Sequence, residues 1–142
     1  MPMPQIVLDT NVLVAGLRSN RGASYRLLSL VGTGQFEINL SVPVVLEYED
    51  VLLRREVGIP VSPQGISDIL DYLCSAGRHH AIFFLWRPYL KDPQDDMVLE
   101  LAVKSDSRVI VTFNKKDFAG CERFGIRPLD PREFLSSIGA LP

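Results

Sequence analysis

Strand-length apolar runs alternate with helix-length segments from one end of this chain to the other, and two of those runs are handed straight to polar residues. Ile6-Val7-Leu8 and Val109-Ile110-Val111 are rich in β-branched residues. That is the pattern of strands buried on both faces of a parallel sheet. The first strand is expected over residues 5–9, a second over 35–40, a third over 81–85, and the clearest later one over 109–112. A last strand near 126–129 is weakened by Pro128, which removes a ladder donor. Helical patterning fills the intervals: residues 11–17, Ala23 to Val31, Ser41 through about Arg55, Ser62 or Pro63 to Gly77, and Met97 to Val103. Gly32 and Gly34 mark the end of the second helix. Ser41 is a plausible N-cap with Pro43 in the first turn beyond it. Asp130 caps a final helix containing Glu133, Phe134 and Leu135. Alternation of the two structural types predicts an α/β sandwich with a parallel sheet.

The chain has 142 residues, 46% of them hydrophobic, and no composition break divides it. One domain spanning residues 1–142 is therefore expected, with a core large enough to fold independently. Cys74 and Cys121 lie far apart, without metal-binding spacing or the look of a disulfide scaffold. The opening Met-Pro-Met-Pro-Gln has no signal-like pattern, and no 18-residue apolar run exists to cross a membrane. A cytoplasmic location follows as the default. The formal charge of −2 argues against indiscriminate binding to a phosphate backbone. It does not exclude a nucleic-acid enzyme, because basic side chains can guide a substrate locally. Arg18, Arg21, Arg26, Arg54, Arg55, Lys91, Lys115, Lys116 and Arg123 are scattered candidates, and most are expected to be ordinary solvated groups.

The placement of acidic residues carries the chemistry. Asp9 ends the first apolar run, Glu47 sits inside the helix that follows Ser41, Asp96 opens the Met97–Val103 run, and Asp117 follows the strand at 109–112. Positions where strands hand over to helices gather at one edge of an open parallel sheet. Carboxylates gathered there with no matching base call for a hard cation such as Mg²⁺ or Mn²⁺. Each has a plainer reading: Asp9 as a helix cap, Glu47 as a solvated side chain, Asn114 as a local turn residue. Asp92, Asp96 and Glu100 share i,i+4 spacing, which stacks them on one side of a continuous helix. Asp96 is the preferred ligand, Asp95 its alternative, and Asp92 a candidate cap outside the helix. Thr10 and Asn11 can position a carboxylate, water or phosphate. His79-His80 reads as a polar loop pair with no zinc spacing. Neither a phosphate-binding Gly-rich loop nor a Gly-x-Ser-x-Gly elbow occurs. Trp86 beside Arg87 is a weak candidate for contact with a base.

Four blocks together resemble the PIN-domain ribonucleases, specifically the toxin-like members from bacteria and archaea. They are Val7-Leu8-Asp9-Thr10-Asn11-Val12-Leu13, Ser41-Val42-Pro43-Val44-Val45-Leu46-Glu47-Tyr48, Asp92-Pro93-Gln94-Asp95-Asp96-Met97-Val98-Leu99-Glu100-Leu101-Ala102, and Val111-Thr112-Phe113-Asn114-Lys115-Lys116-Asp117-Phe118. The resemblance implies a three-layer α/β/α sandwich and metal-dependent endonucleolytic hydrolysis of single-stranded or structured RNA. It implies that Asp9, Glu47 and Asp96 hold one or two Mg²⁺ or Mn²⁺ ions, with Asp117 as the fourth acidic contributor. Asn114 stands where many relatives carry Asp, which puts a second ion in question. Thr10, Asn11, Asp92, Glu100 and Asn114 are implied in support. A small antitoxin partner and a homodimer or higher oligomer are implied as well. A catalytically inactive RNA-binding or regulatory protein is the alternative.

Overall fold

The computed structural model describes residues 3–82 and 89–141. Five strands form one sheet: β1 (Gln5–Leu8), β2 (Glu37–Leu40), β3 (Arg78–His79), β4 (Val109–Val111) and β5 (Arg127–Leu129). Their order across the sheet is β3-β2-β1-β4-β5. Every pairing is parallel, with Ile6 opposite Ile38 on one side and Val109 on the other. Ile6, Val7, Leu8, Ile110 and Val111 are almost fully buried, as strands covered on both faces must be. Six α-helices occur among the described residues: α1 (Thr10–Arg18), α2 (Ala23–Ser29), α3 (Val42–Leu52), α4 (Pro63–Ala76), α5 (Pro93–Lys104) and α6 (Pro131–Ser137). The expected α/β architecture, helices layered on a central parallel sheet, is the one observed.

The chain runs outward from β1 through β2 to β3, then returns and runs the other way from β4 to β5. The order therefore reverses between β1 and β4. In open parallel sheets such a reversal opens a crevice at the carboxyl ends of the two strands. Asp9 and Thr112 are the residues that follow β1 and β4, so both stand at its mouth.

Local chemistry sets the helix starts. Ser41, Ser62, Asp92 and Asp130 each accept a backbone N–H of the first turn, and each helix has Pro at its first or second position. The side-chain acceptor satisfies one orphan donor, and Pro spends no needed N–H there. At α6 the cap is reciprocal: Glu133 N donates to Asp130 Oδ1 at 2.8 Å, and Asp130 N donates to Glu133 Oε1 at 2.9 Å. Gly32, after α2, has φ +82°, and a Cβ there would come within 2.6 Å of the Tyr72 hydroxyl. That hydroxyl donates to Val31 O at 2.8 Å, tying α4 to the loop.

Several boundaries differ from the sequence expectations. α3 stops at Leu52, and Arg55–Val57 is a separate 3₁₀ turn closed by Gly58 at φ +70°. α2 stops at Ser29 rather than Val31. The strand beside β2 is Arg78–His79, directly after α4, so His79 is a strand residue rather than part of a loop pair. Of the strand expected over 81–85, residues 83–85 lie outside the described residues, as do Trp86 and Arg87. β5 forms despite Pro128 because it is a sheet edge, where a missing donor costs little.

Buried polar groups cross the sheet. Asn39 Nδ2 donates to Ile6 O, Gln5 Oε1 and Ser107 Oγ at 3.2, 3.0 and 3.3 Å, and His80 Nε2 lies 2.8 Å from Asn39 Oδ1. These bonds link β1, β2 and the approach to β4. No helix among the described residues is long and apolar enough to cross a membrane.

Candidate functional site

Asp9 is 9% exposed at the end of β1 and serves as the N-cap of α1. Its Oδ1 accepts Thr10 N at 2.9 Å. Its Oδ2 accepts the Thr112 hydroxyl at 2.8 Å and Asn11 Nδ2 at 3.3 Å. Thr112 Oγ1 in turn accepts Asn114 N at 3.0 Å, and Asn11 Oδ1 accepts Phe113 N at 3.3 Å. Thr112 is fully buried. The plain and the chemical readings of Asp9 thus coexist: the carboxylate caps a helix and is held rigidly between β1 and β4. Thr112 is the residue sequence reasoning missed. The signal available was its place directly after the second apolar run, matching that of Asp9 after the first.

Glu47 lies one position before Tyr48 on α3. The buried Tyr48 hydroxyl donates to Leu8 O, docking this helix on the end of β1. Glu47 is half-buried there and feels the charges of Asp9 and Asp92. Burial first, and then Asp50, raises its pKa.

The α5 carboxylates are distributed differently from the expectation. The helix begins at Pro93, capped by Asp92, which accepts Gln94 N at 2.9 Å. Asp96 is therefore not the first helical residue, and its Oδ1 accepts Leu90 N at 2.8 Å and Tyr89 N at 3.2 Å. It holds the segment that leads into the helix. Asp95 is the carboxyl set against Asp9, Asp92 and Asp117, and burial followed by these like charges pushes its pKa up to about 7. Adjacent residues of a helix point about 100° apart, so Asp95 and Asp96 meet different surroundings. The i,i+4 set of Asp92, Asp96 and Glu100 consequently does not share one role: the first caps, the second clamps the preceding segment, and Glu100 is buried, 6% exposed.

Asp117 lies exposed in the 3₁₀ turn Lys115–Phe118, and Asn114 is the residue before that turn. Lys115 Nζ is 2.9 Å from Glu133 Oε1, which pins the turn to α6. Asp92, Asp95 and Asp117 line one cavity of about 510 Å³, together with Lys91, Lys116 and Tyr89. Asp9 is raised in pKa by burial, partly offset by its Thr112 and Thr10 hydrogen bonds, and raised further by Asp117 and Asp92.

Among the described residues no three His, Cys, Asp or Glu side chains converge closely enough to hold a metal ion as they stand. The donor chemistry nevertheless suits a hard cation: the facing groups are carboxylates, raised in pKa first by burial and then by one another's charge. A cation relieves the same repulsion that proton uptake relieves. A separate apolar groove of about 350 Å³ lies between α1, α2 and α4, bordered by Tyr25, Leu28, Ile69 and Tyr72, and it carries none of this chemistry.

Residues 5–116 match the PIN domain family. No curated protein matches the chain. Among solved structures, a chain of the VapBC2 complex from Rickettsia felis, bound to a DNA fragment from its promoter, is similar at a TM-score of 0.56 and 14% identity. The similarity covers 89% of this chain and 98% of that one.

Proposed function

Because this chain belongs to the PIN domain family, whose members are generally nucleases, we propose that it is a Mg²⁺- or Mn²⁺-dependent endoribonuclease acting as a single domain. The observation that carries the reading is Asp9, a buried carboxylate fixed between β1 and β4 at the switch point and facing Asp95, Asp92 and Asp117. Asp9, Glu47, Asp95 and Asp117 are the residues that would hold the cation. Asp95 stands in this set in place of the expected Asp96 because Asp95 is the α5 carboxyl set against Asp9, Asp92 and Asp117. When bound, a divalent cation supplies Lewis acidity toward water and offsets phosphate charge.

The chain's own groups supply order. Thr112, Asn11 and Thr10 fix both oxygens of Asp9, so that the carboxylate is preoriented without further loss of freedom. Asp92 caps the helix that presents Asp95. Lys116 and Lys91 offer positive charge at the rim of the same cavity for a phosphate backbone.

The toxin role and a small antitoxin partner rest on the sequence resemblance and on the kinship of fold with the VapBC2 complex. A homodimer is supported by exposed Val42, Leu46 and Leu53, which fall on one face of α3 and its C-terminal extension. The test is cleavage of an RNA pool with Mn²⁺ and with chelator, using wild-type protein and Asp9→Asn. Mn²⁺-dependent cleavage by the wild type and loss of about a hundredfold or more in the variant are expected. Equal cleavage by the two proteins would sink the site. An inactive, RNA-binding protein would show binding without Mn²⁺-dependent products.

A further inference from the structure

Tyr89 borders the cavity that Asp92, Asp95 and Asp117 line, and it is 38% exposed. Yet it is held at several points. Its backbone N–H donates to Asp96 Oδ1, tying it to the helix that carries Asp95. Its hydroxyl donates to Gly120 O at 3.4 Å and accepts from an Arg123 guanidinium nitrogen at 3.3 Å. Its ring meets Phe124 edge-on, with centroids 5.4 Å apart and planes at 73°. Gly120 takes φ +95°, and a Cβ there would come within 3.0 Å of the Tyr89 hydroxyl. The ring is thus fixed in position while part of it stays open beside the cavity. Lys116 lines the same cavity and has no ion-pair partner among the described residues, whereas its neighbour Lys115 is engaged by Glu133.

We propose that Tyr89 is a stacking platform for an unpaired nucleobase adjoining the phosphate at the acidic cluster, with Lys116 on the neighbouring backbone phosphate. The proposal rests on the nuclease reading above. Aromatic faces accept any base, at about 1–3 kcal/mol per stacked base, provided the base is free of its own stack. Duplex bases are not free in this way. Tyr89 is thus a specificity-determining residue, and Asp96 acts through it as a positioning residue.

The test uses short fluorescein-labelled single-stranded RNAs carrying one abasic residue at successive positions. Binding is read by anisotropy with Ca²⁺, and cleavage with Mn²⁺. For wild-type protein one abasic position is expected to weaken binding and raise KM about tenfold, with kcat little changed. Tyr89→Ala and Tyr89→Leu should lose a similar factor on intact RNA and become insensitive to that abasic position, while Tyr89→Phe keeps the sensitivity. Lys116→Gln should flatten the salt dependence of binding by about one counterion. Wild-type protein without an abasic penalty at any position overturns the platform with no variant needed, as does a penalty that persists in Tyr89→Ala. RNA that is cut without a penalty sinks the platform alone. RNA bound with the penalty but never cut sinks the nuclease reading alone, and RNA neither bound nor cut sinks both.

Discussion

Asp95 and Asp96 are adjacent and chemically identical, yet the fold gives them opposite work. Asp95 faces like charges, whereas Asp96 accepts two backbone N–H groups. Asp95→Asn is therefore expected to abolish Mn²⁺-dependent cleavage, and Asp96→Asn to act mainly through KM as the Tyr89 segment loosens. Steady-state kinetics on one RNA distinguishes the two, and the reverse pattern would return the ligand role to Asp96. Stability against pH gives a second reading of the same residue. Burial, then Asp9, Asp92, Asp117 and Asp96, raise Asp95 from 3.8 to about 7. The folded state then holds that proton more tightly than the unfolded one. The stability it contributes is full below about pH 4 and is lost as pH rises toward 7. His80 acts in the other direction, because burial, then Arg78, lower its pKa from 6.5, so its contribution fades as pH falls through that lowered value. The informative quantity is the difference in Tm between wild type and Asp95→Asn without metal. The wild type should lose ground to the variant between about pH 4 and 7, and parallel curves would contradict the clustering of charges.

At the scale of elements, the strand-to-helix junctions were readable because caps and proline act through neighbours in sequence. Ser41 with Pro43, Ser62 with Pro63 and Asp130 with Pro131 all stand where the sequence placed helix starts. The start of α5 was misplaced, since Asp92-Pro93 carries the same signature four residues before the position preferred for a ligand. Short β3 was missed because Arg78-His79 is polar and exposed, an edge strand defined only by its partner β2. The contact of Tyr48 with Leu8 O was equally out of reach, for it joins residues forty positions apart. Tyr48→Phe keeps the packing and removes the donor, and it is expected to cost roughly 1–2 kcal/mol in urea unfolding. A neutral result would mean that the hydroxyl does not hold α3 to β1.

For the molecule as a whole, the reversal of strand order between β1 and β4 concentrates the chemistry at one edge of the sheet. Alternating apolar runs announced the sheet, but not the order of strands across it, which depends on crossovers. Charge behaves similarly: a net of −2 conceals a local cluster that repels itself. If that cluster holds a cation, Mn²⁺ at a hundred times its Kd stabilises the fold by about 2.7 kcal/mol. At this chain length the corresponding rise in Tm is about 5–10 °C. Thermal melts of wild type and Asp9→Asn with and without Mn²⁺ check this, and an equal rise in both would place the ion elsewhere.

The crevice also has a history within each molecule. Asp9 is made early, but Thr112, which fixes one of its oxygens, is more than a hundred residues later. While the chain is being synthesised, β1 and β2 can pair long before β4 exists to finish the site. Asp9 and Glu47 fall on one side of the interval between β3 and α5, and Asp95 and Asp117 on the other. A chain divided there would leave two of the four proposed carboxylates in each half, and if they carry the proposed cation, hydrolysis is expected only from the reassembled pair.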